Sequence, residues 1–430
     1  MNFPLGTVRY RFVILFLGIF LILTSSLVTI TARGKLLMSL SHLEVRINMN
    51  KKKLIALAAS AVMVISLSTA MTTTASATDW AGKNCYQEGE VKATSGATNT
   101  CGVTAGGLVY GPTRKLSGSL TVVCGATEAW CGAMTGAFTK LTGVSTKFVR
   151  LSSGETVARL EAAKANPEFD VWHGGPADGF GVARIGGLIE KYASTTRNLI
   201  PKKYQDADGF WTGVYVGALG FCTNTKEIRR LGLKIPTSWA ELQNPKLVKN
   251  ISSAHPSTSG TAFTTLWTQV TRLGSEAAGL EFMAGMHKNI LQYTKSGVGP
   301  VAIVGRGEAA VGIVFSHDCV AGAEQGLPLK VSFPSEGTGY EIGGVALVKG
   351  SKNPEAAKAY VDFALSRDAQ NLGPTVAAYQ VLTNPKTKID KRSVKLNTLT
   401  LVAYDFEKAA AAKKALTAKF DATIAVAPKS

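Results

Sequence analysis

Residues 119–149 read SLTVVCGATEAWCGAMTGAFTKLTGVSTKFV. A short β-branched run at 120–124 stops at Gly125, and beyond it Trp130, Met134, Phe138 and Leu141 recur at helical spacing. Apolar side chains three and four apart share one face of a helix, so that face is expected to be buried. Residues 144–149 return to an extended pattern. Strand, helix, strand is a βαβ unit, which makes its two strands parallel and predicts an α/β fold. A second unit follows, with a helix expected over 154–164 and a strand over 170–172 that ends in Gly174 and Gly175.

A fresh α/β block begins after Trp211 with the strand-like run 214–222. It continues through a Ser/Thr/Gly turn at 257–261 into a helix striped by Phe263, Leu266, Trp267, Val270 and Leu273, and closes on an apolar strand at 311–315. The chain then runs through 340–348 and ends in helical stretches at 354–370 and 406–420. The expected arrangement is two α/β lobes joined by two crossings, 214–222 and 340–348. Residues 119–215 and 345–430 form the first lobe in this reading, and 216–344 the second.

The front of the chain reads differently. Lys51, Lys52 and Lys53 precede an uncharged apolar run at 54–70, and Ala75-Ser76-Ala77 follows. Basic, apolar and small-residue regions in that order predict a signal peptide over 49–77, cut after Ala77. Upstream, the uncharged stretch 12–31 has the length of a membrane span. Because Met49 opens a complete export signal, residues 1–48 are expected to be upstream translation from a start called too early. Of 47 Lys and Arg and 29 Asp and Glu, residues 78–430 keep 39 and 28, a formal charge of +11. A basic surface favours anionic partners, and the absence of a Lys/Arg block argues against nucleic acid. Apolar residues make up 46% and charged residues 18%, which excludes a mainly disordered chain. Residues 78–118, rich in Gly, Thr and Ser, read as a loop-rich extension.

All six cysteines, Cys85, Cys101, Cys124, Cys131, Cys222 and Cys319, follow the expected cleavage point, in a compartment where disulfides persist. Sequence order suggests pairing Cys85 with Cys101, Cys124 with Cys131 and Cys222 with Cys319, although six cysteines permit many other connectivities.

Two turns carry hydroxyls where helices begin: Ser152-Ser153-Gly154-Glu155 and Ser259-Gly260-Thr261. Free backbone N–H groups and the helix dipole make such starts good anion holders, while simple N-capping explains the same residues. Gly174-Gly175 would let a ligand approach the backbone at a strand's carboxyl end. His317 and Asp318 follow the strand at 311–315 and would face a cleft; with Glu341 they could exchange hydrogen bonds with neighbouring hydroxyls. The sequence carries no GxSxG, HExxH, P-loop or GxGxxG motif, so no enzyme and no cofactor or metal is expected.

From about residue 120 to 370 the chain resembles the extracytoplasmic solute-binding proteins of ABC importers, in their two-lobed ferric/polyamine-type group. The resemblance rests on Cys124-Gly125-Ala126-Thr127-Glu128-Ala129-Trp130-Cys131, Ser152-Ser153-Gly154-Glu155, Asp170-Val171-Trp172-His173-Gly174-Gly175, Trp211-Thr212-Gly213-Val214-Tyr215, Ser259-Gly260-Thr261-Ala262, Arg306-Gly307-Glu308-Ala309-Ala310 and Lys352-Asn353-Pro354-Glu355-Ala356-Ala357. It implies a periplasmic-binding-protein type II fold with two hinge crossings, a periplasmic location, a monomer and delivery of solute to an inner-membrane ABC permease. Ferric-binding members carry adjacent tyrosines after the strand that is here 311–315, where this chain has Ser316-His317-Asp318-Cys319. The His-Asp pair with Glu341 is instead similar to the hexose-phosphate-binding branch. That likeness implies that His317, Asp318 and Glu341 hold sugar hydroxyls, and that the 152–155 and 259–261 turns hold the phosphate. Pro176-Ala177 stands where similar proteins have Thr-Gly, which removes a hydroxyl and a backbone donor. The expected ligand is a small phosphosugar. Ferric iron, a phosphonate or another small anion is the alternative within the family, and a secreted hydrolase or adhesin is the reading outside it.

Overall fold

The computed structural model describes residues 10–11, 27–30, 35–40, 43–48, 91–94, 97–104, 107–110 and 114–426. The chain divides into two units, Met1–Ser76 and Ala77–Ser430. In the first, strands Tyr10–Arg11, Leu27–Ile30, Lys35–Leu40 and Leu43–Asn48 pair antiparallel in that order. The end of the apolar run at 12–31 is thus a strand, and the expected signal peptide at 49–77 lies outside the described residues. No helix among the described residues is long and apolar enough to cross a membrane.

In the second unit the segment 78–118, expected to be loop-rich, contains strands Val91–Thr94, Ala97–Thr104, Gly107–Tyr110 and Arg114–Lys115, which form their own antiparallel sheet. Its small polar residues hide the alternation that marks a strand, yet Thr98, Asn99, Thr100 and Cys101 are buried.

The first βαβ unit is as read: β1 (Ser119–Cys124), α1 (Glu128–Thr142) and β2 (Ser145–Arg150), with the strands parallel in register. Helix α1 buries Trp130, Met134 and Phe138, each worth about 1.5–3 kcal/mol of apolar transfer. It stops at Gly143, whose φ of 79° only glycine adopts cheaply and whose N–H donates to the Thr139 carbonyl. Helix α2 (Ser153–Ala162) leads to β3 (Val171–Pro176), parallel to β1, and then to α3 (Ala177–Ile185).

Strand β4 (Thr212–Asn224) is buried along its whole length and builds the two-lobed form. Residues 212–218 pair antiparallel with β9 (Tyr340–Val348), whereas 219–223 pair with β7 (Val311–Phe315). One strand therefore leaves the first sheet and enters the second near Ala218. β9 lies between β3 and β4, so both expected crossings are present as neighbouring strands. The second lobe adds β5 (Ile251–Ala254), α4 (Gly260–Leu273), α5 (Glu276–His287), β6 (Ile290–Thr294), α6 (Gly299–Gly305), α7 (Ser316–Glu324) and β8 (Leu329–Ser332). Across the molecule the strand order is β2-β1-β3-β9-β4-β7-β5-β6.

The helical stretch 354–370 is broken into α8 (Pro354–Ala364) and a short turn, Arg367–Gln370, capped by Ser366. The last helix, α9 (Phe406–Phe420), lies on the seam. The sequence reading put all of 345–430 in the first lobe, but Ala409, Leu416 and Phe420 join the second lobe's apolar cluster with Phe263 and Leu266. From the same helix Lys413 reaches Asp178 of α3. Two of the suggested disulfides are present, Cys124–Cys131 and Cys222–Cys319; Cys101 is disulfide-bonded and Cys85 lies outside the described residues.

Candidate functional site

The lobes face one another across a pocket into which five helices of nine or more residues begin: α1, α2, α3, α4 and α7. Parallel strands end where helices start, so a βαβ fold delivers its helix N-termini to the carboxyl edge of the sheet. Each helix start offers unpaired N–H groups and the positive end of a dipole.

Of the residues expected from sequence, Ser152, Ser153, Gly175, Ser259, Gly260, Thr261, His317, Asp318 and Glu341 line the pocket. Gly154, Glu155 and Gly174 do not. Gly154 donates from its N–H to the Thr258 carbonyl at 2.9 Å, tying the first lobe to the second, and Glu155 pairs with Lys295 across the same seam. The Ser152 hydroxyl bonds the Lys295 carbonyl at 3.3 Å. Gly174 and Gly175 have φ of 82° and 95°, which fixes glycine at both positions. A Cβ on Gly174 would also meet the Ala126 nitrogen at 2.7 Å.

The capping explanation holds too, because the Ala262 N–H donates to the Ser259 hydroxyl. These hydroxyls therefore shape the helix starts and face the pocket at once. The pocket has a volume of about 40 Å³, room for a few waters, and the lobes touch beside it through the Ser152–Lys295, Gly154–Thr258 and Glu155–Lys295 contacts.

The second half of the site is a buried polar cluster. His317 Nε2 lies 3.7 Å from Asp318 Oδ1 and 3.8 Å from Glu341 Oε1, and all three residues are buried. The imidazole stacks on Phe315, and its Nδ1 is buried without a partner. Gly217 of β4 makes room for the cluster, since a Cβ there would stand 2.7 Å from the imidazole. Burial pushes the Glu341 carboxyl well above its ordinary range, and the charges of Asp318 and Asp178 push it further. Burial also raises Asp318, partly opposed by His317 and Arg150, and lowers His317, partly opposed by Asp318. Burial thus favours the neutral form of both carboxyls over the charged one, and a carboxyl in that form can both donate and accept hydrogen bonds.

Four pocket residues with polar side chains escaped the sequence reading as candidates: Thr127, Arg150, Tyr215 and Gln380. Arg150 ends β2, and its guanidinium donates to the carbonyls of Ala126 (3.1 Å) and Gly125 (3.4 Å). A lone cation at the carboxyl end of a strand, two residues before the Ser152 turn, was the available signal. Tyr215 receives the Gly175 N–H on its hydroxyl at 2.9 Å. The Thr127 hydroxyl is buried without a partner at the start of α1. Gln380 arrives from far along the chain and carries no local signature.

Two lobes, two strand crossings and a pocket between the lobes define a solute-binding protein of the type II fold. The comparisons agree. Residues 183–408 match the family described as bacterial extracellular solute-binding protein, and the chain belongs to that family. An uncharacterised protein of Haemophilus influenzae is 38% identical over 74% of this chain and 93% of its own length. The solved structure of the periplasmic binding protein AfuA from Actinobacillus pleuropneumoniae, with exogenous fructose-6-phosphate bound, is 41% identical. It covers 72% of this chain and 100% of AfuA with a TM-score of 0.71. A Salmonella typhimurium protein named as a candidate 2-aminoethylphosphonate-binding periplasmic protein is 25% identical over 56% of this chain and 71% of its own. A ferric binding protein from Campylobacter jejuni, 18% identical over 71% of this chain and 99% of its own with a TM-score of 0.60, shares the fold. The chain is thus a solute-binding component of the ABC importer class, and its family and fold are those of transport proteins rather than enzymes.

Proposed function

We propose that this protein captures a small phosphorylated sugar outside the inner membrane and delivers it to an ABC permease. The observation that carries the reading is the meeting, in one buried pocket, of several helix N-termini and Arg150 with the neutral-to-acidic cluster His317, Asp318 and Glu341. A phosphate is an acceptor of high negative charge and matches amide donors, hydroxyls and a guanidinium. Sugar hydroxyls donate and accept, and match carboxyls and an imidazole. Ser152, Ser153, Ser259, Gly260, Thr261 and Arg150 serve the phosphate in this reading, and His317, Asp318 and Glu341 serve the hydroxyls. The likeness to AfuA, in whose structure fructose-6-phosphate is bound, supports it.

A solute that touches both lobes favours the closed form only by those joint contacts, so binding and hinge closure are linked. Release of the Gly154–Thr258 and Glu155–Lys295 contacts would open the path. A second reading, a phosphonate, is supported by the likeness to the Salmonella typhimurium relative named for 2-aminoethylphosphonate binding. The ferric reading is the weaker one, since β7 runs directly into Ser316-His317-Asp318-Cys319, where ferric-binding members carry adjacent tyrosines.

Calorimetry of the protein with glucose 6-phosphate, fructose 6-phosphate, inorganic phosphate, 2-aminoethylphosphonate and ferric citrate tests this. Tightest binding of a hexose phosphate is expected, with Ser153→Ala weakening phosphate-bearing solutes more than the neutral sugar and Asp318→Ala weakening both. Tighter binding of the aminophosphonate or of iron would reject the phosphosugar.

A further inference from the structure

We propose that Gln380 contacts the solute directly and sets specificity by reading a hydroxyl; the proposal rests on the phosphosugar reading above. Gln380 lines the pocket, is 2% exposed, and its Oε1 is buried with no hydrogen-bond partner. A buried acceptor left unpaired is costly, and a solute that donates to it removes the cost.

Its placement is fixed by the hinge. The short strand Val381–Leu382 pairs antiparallel with β4, Val381 opposite Val216 and Leu382 opposite Tyr215. One step further along that register sets Gln380 beside Gly217. On the other side of β4, Gly217 pairs with Glu341. Residues directly opposite one another in a sheet project to the same face, and on that face His317 crowds Gly217. Gln380 and Glu341 therefore flank Gly217, the glycine against which the His317 imidazole lies.

The segment before Gln380 is held in a costly shape, since Ala377 has φ of 60° without being glycine. Behind it the Ala378 N–H returns to the Gly373 carbonyl at 3.0 Å, and the Ser393 hydroxyl bonds the Gln380 carbonyl at 3.3 Å. A pinned backbone and an unpaired side chain fit a residue positioned for a ligand.

The chemistry selects the group that is read. A phosphate oxygen only accepts and an ammonium only donates, while a hydroxyl does both, as the neutral amide does. Beside His317, Asp318 and Glu341, Gln380 supplies an uncharged acceptor that a solute hydroxyl can satisfy without bringing a charge into the pocket.

The test is calorimetry on the full chain with wild type, Gln380→Leu and Gln380→Glu against glucose 6-phosphate, 2-aminoethylphosphonate and inorganic phosphate. Gln380→Leu should weaken glucose 6-phosphate by about tenfold or more and leave inorganic phosphate within about twofold. Gln380→Glu, nearly the same shape, should shift the affinity ratio toward 2-aminoethylphosphonate, whose ammonium gains a carboxylate. Wild type that binds glucose 6-phosphate while Gln380→Leu binds it equally well overturns this proposal and leaves the pocket reading standing. Wild type that binds no phosphosugar overturns both. If the leucine variant does not fold, an unchanged ratio in Gln380→Glu overturns the proposal by itself.

Discussion

Arg150 spends two of its donors on the Gly125 and Ala126 carbonyls, which holds the β1–α1 turn and leaves the rest of the guanidinium to the pocket. Charge-assisted bonds to phosphate are among the stronger polar contacts, so Arg150→Met is expected to weaken glucose 6-phosphate by about 10–100-fold in calorimetry. An affinity within twofold of wild type would remove Arg150 from the site. His173 shows a different effect of burial. It is packed against Trp130 and Tyr360, 3.3 Å from the Tyr360 hydroxyl, and burial pulls it from 6.5 down to about 4. The unfolded chain takes up this proton near pH 6.5 and the folded chain only near 4. The stability this group contributes is therefore whole above pH 6.5 and is lost as pH falls, by about 2 kcal/mol at pH 5. Urea unfolding at pH 7.5 and 5 should show a smaller drop for His173→Leu than for wild type, even though His317 adds a share of the same sign. Equal drops would contradict it.

At the scale of elements, α7 carries His317 and Asp318 and is tied to β4 through Cys222–Cys319, a link across 97 residues. Cys124–Cys131 spans only seven. If a disulfide acts mainly on the unfolded chain, the long link stabilises more, about 4–5 kcal/mol against about 2–3. Replacing Cys222 and Cys319 by alanine should therefore lower the unfolding free energy more than replacing Cys124 and Cys131, and should also weaken glucose 6-phosphate binding by loosening α7. Equal losses in urea titrations would reject the loop-length account. Within 119–375 the elements with strong apolar spacing were legible, namely β1, α1, β2, α2, β3, β4, α4, β7, β9 and α8, whereas α3, β5, α5, β6, α6, α7 and β8 were not. The strands of 91–115 were not, since Thr, Asn and Gly carry little pattern, and the break at Ser366 is a local cap inside a longer apolar stripe.

For the whole molecule, α9 joins the lobes. Lys413 Nζ lies 2.6 Å from Asp178 Oδ1 and 4.6 Å from the Phe263 ring centroid, and the Tyr404 hydroxyl donates to the other Asp178 oxygen at 3.3 Å. Both charges are buried. Removing one partner leaves the other unpaired in a poorly polarisable interior, which costs about 3–5 kcal/mol. Lys413→Met should lower stability by that order in urea, and Asp178→Leu with Lys413→Met should recover most of it. A double variant no more stable than the single would show that the pair does more than neutralise a charge. Asp178 is the second residue of α3, whose start lines the pocket, so the single variant is also expected to reduce binding.

The amino-acid order alone determined the α/β class and the two crossings, and marked the segments carrying Ser152, Ser259 and His317 that line the pocket. Each of these is written in local spacing: β-branched runs, helical stripes, glycines at positive φ and hydroxyls at helix starts. Tertiary structure decided what depends on register between distant strands. It brought Gln380 and Arg150 into the pocket, set α9 across the seam, and kept Gly154 and Glu155 at the contact between lobes rather than in the cavity. These outcomes follow from which strand pairs with which and from how buried charges find partners hundreds of residues away, and no window of local sequence contains that information.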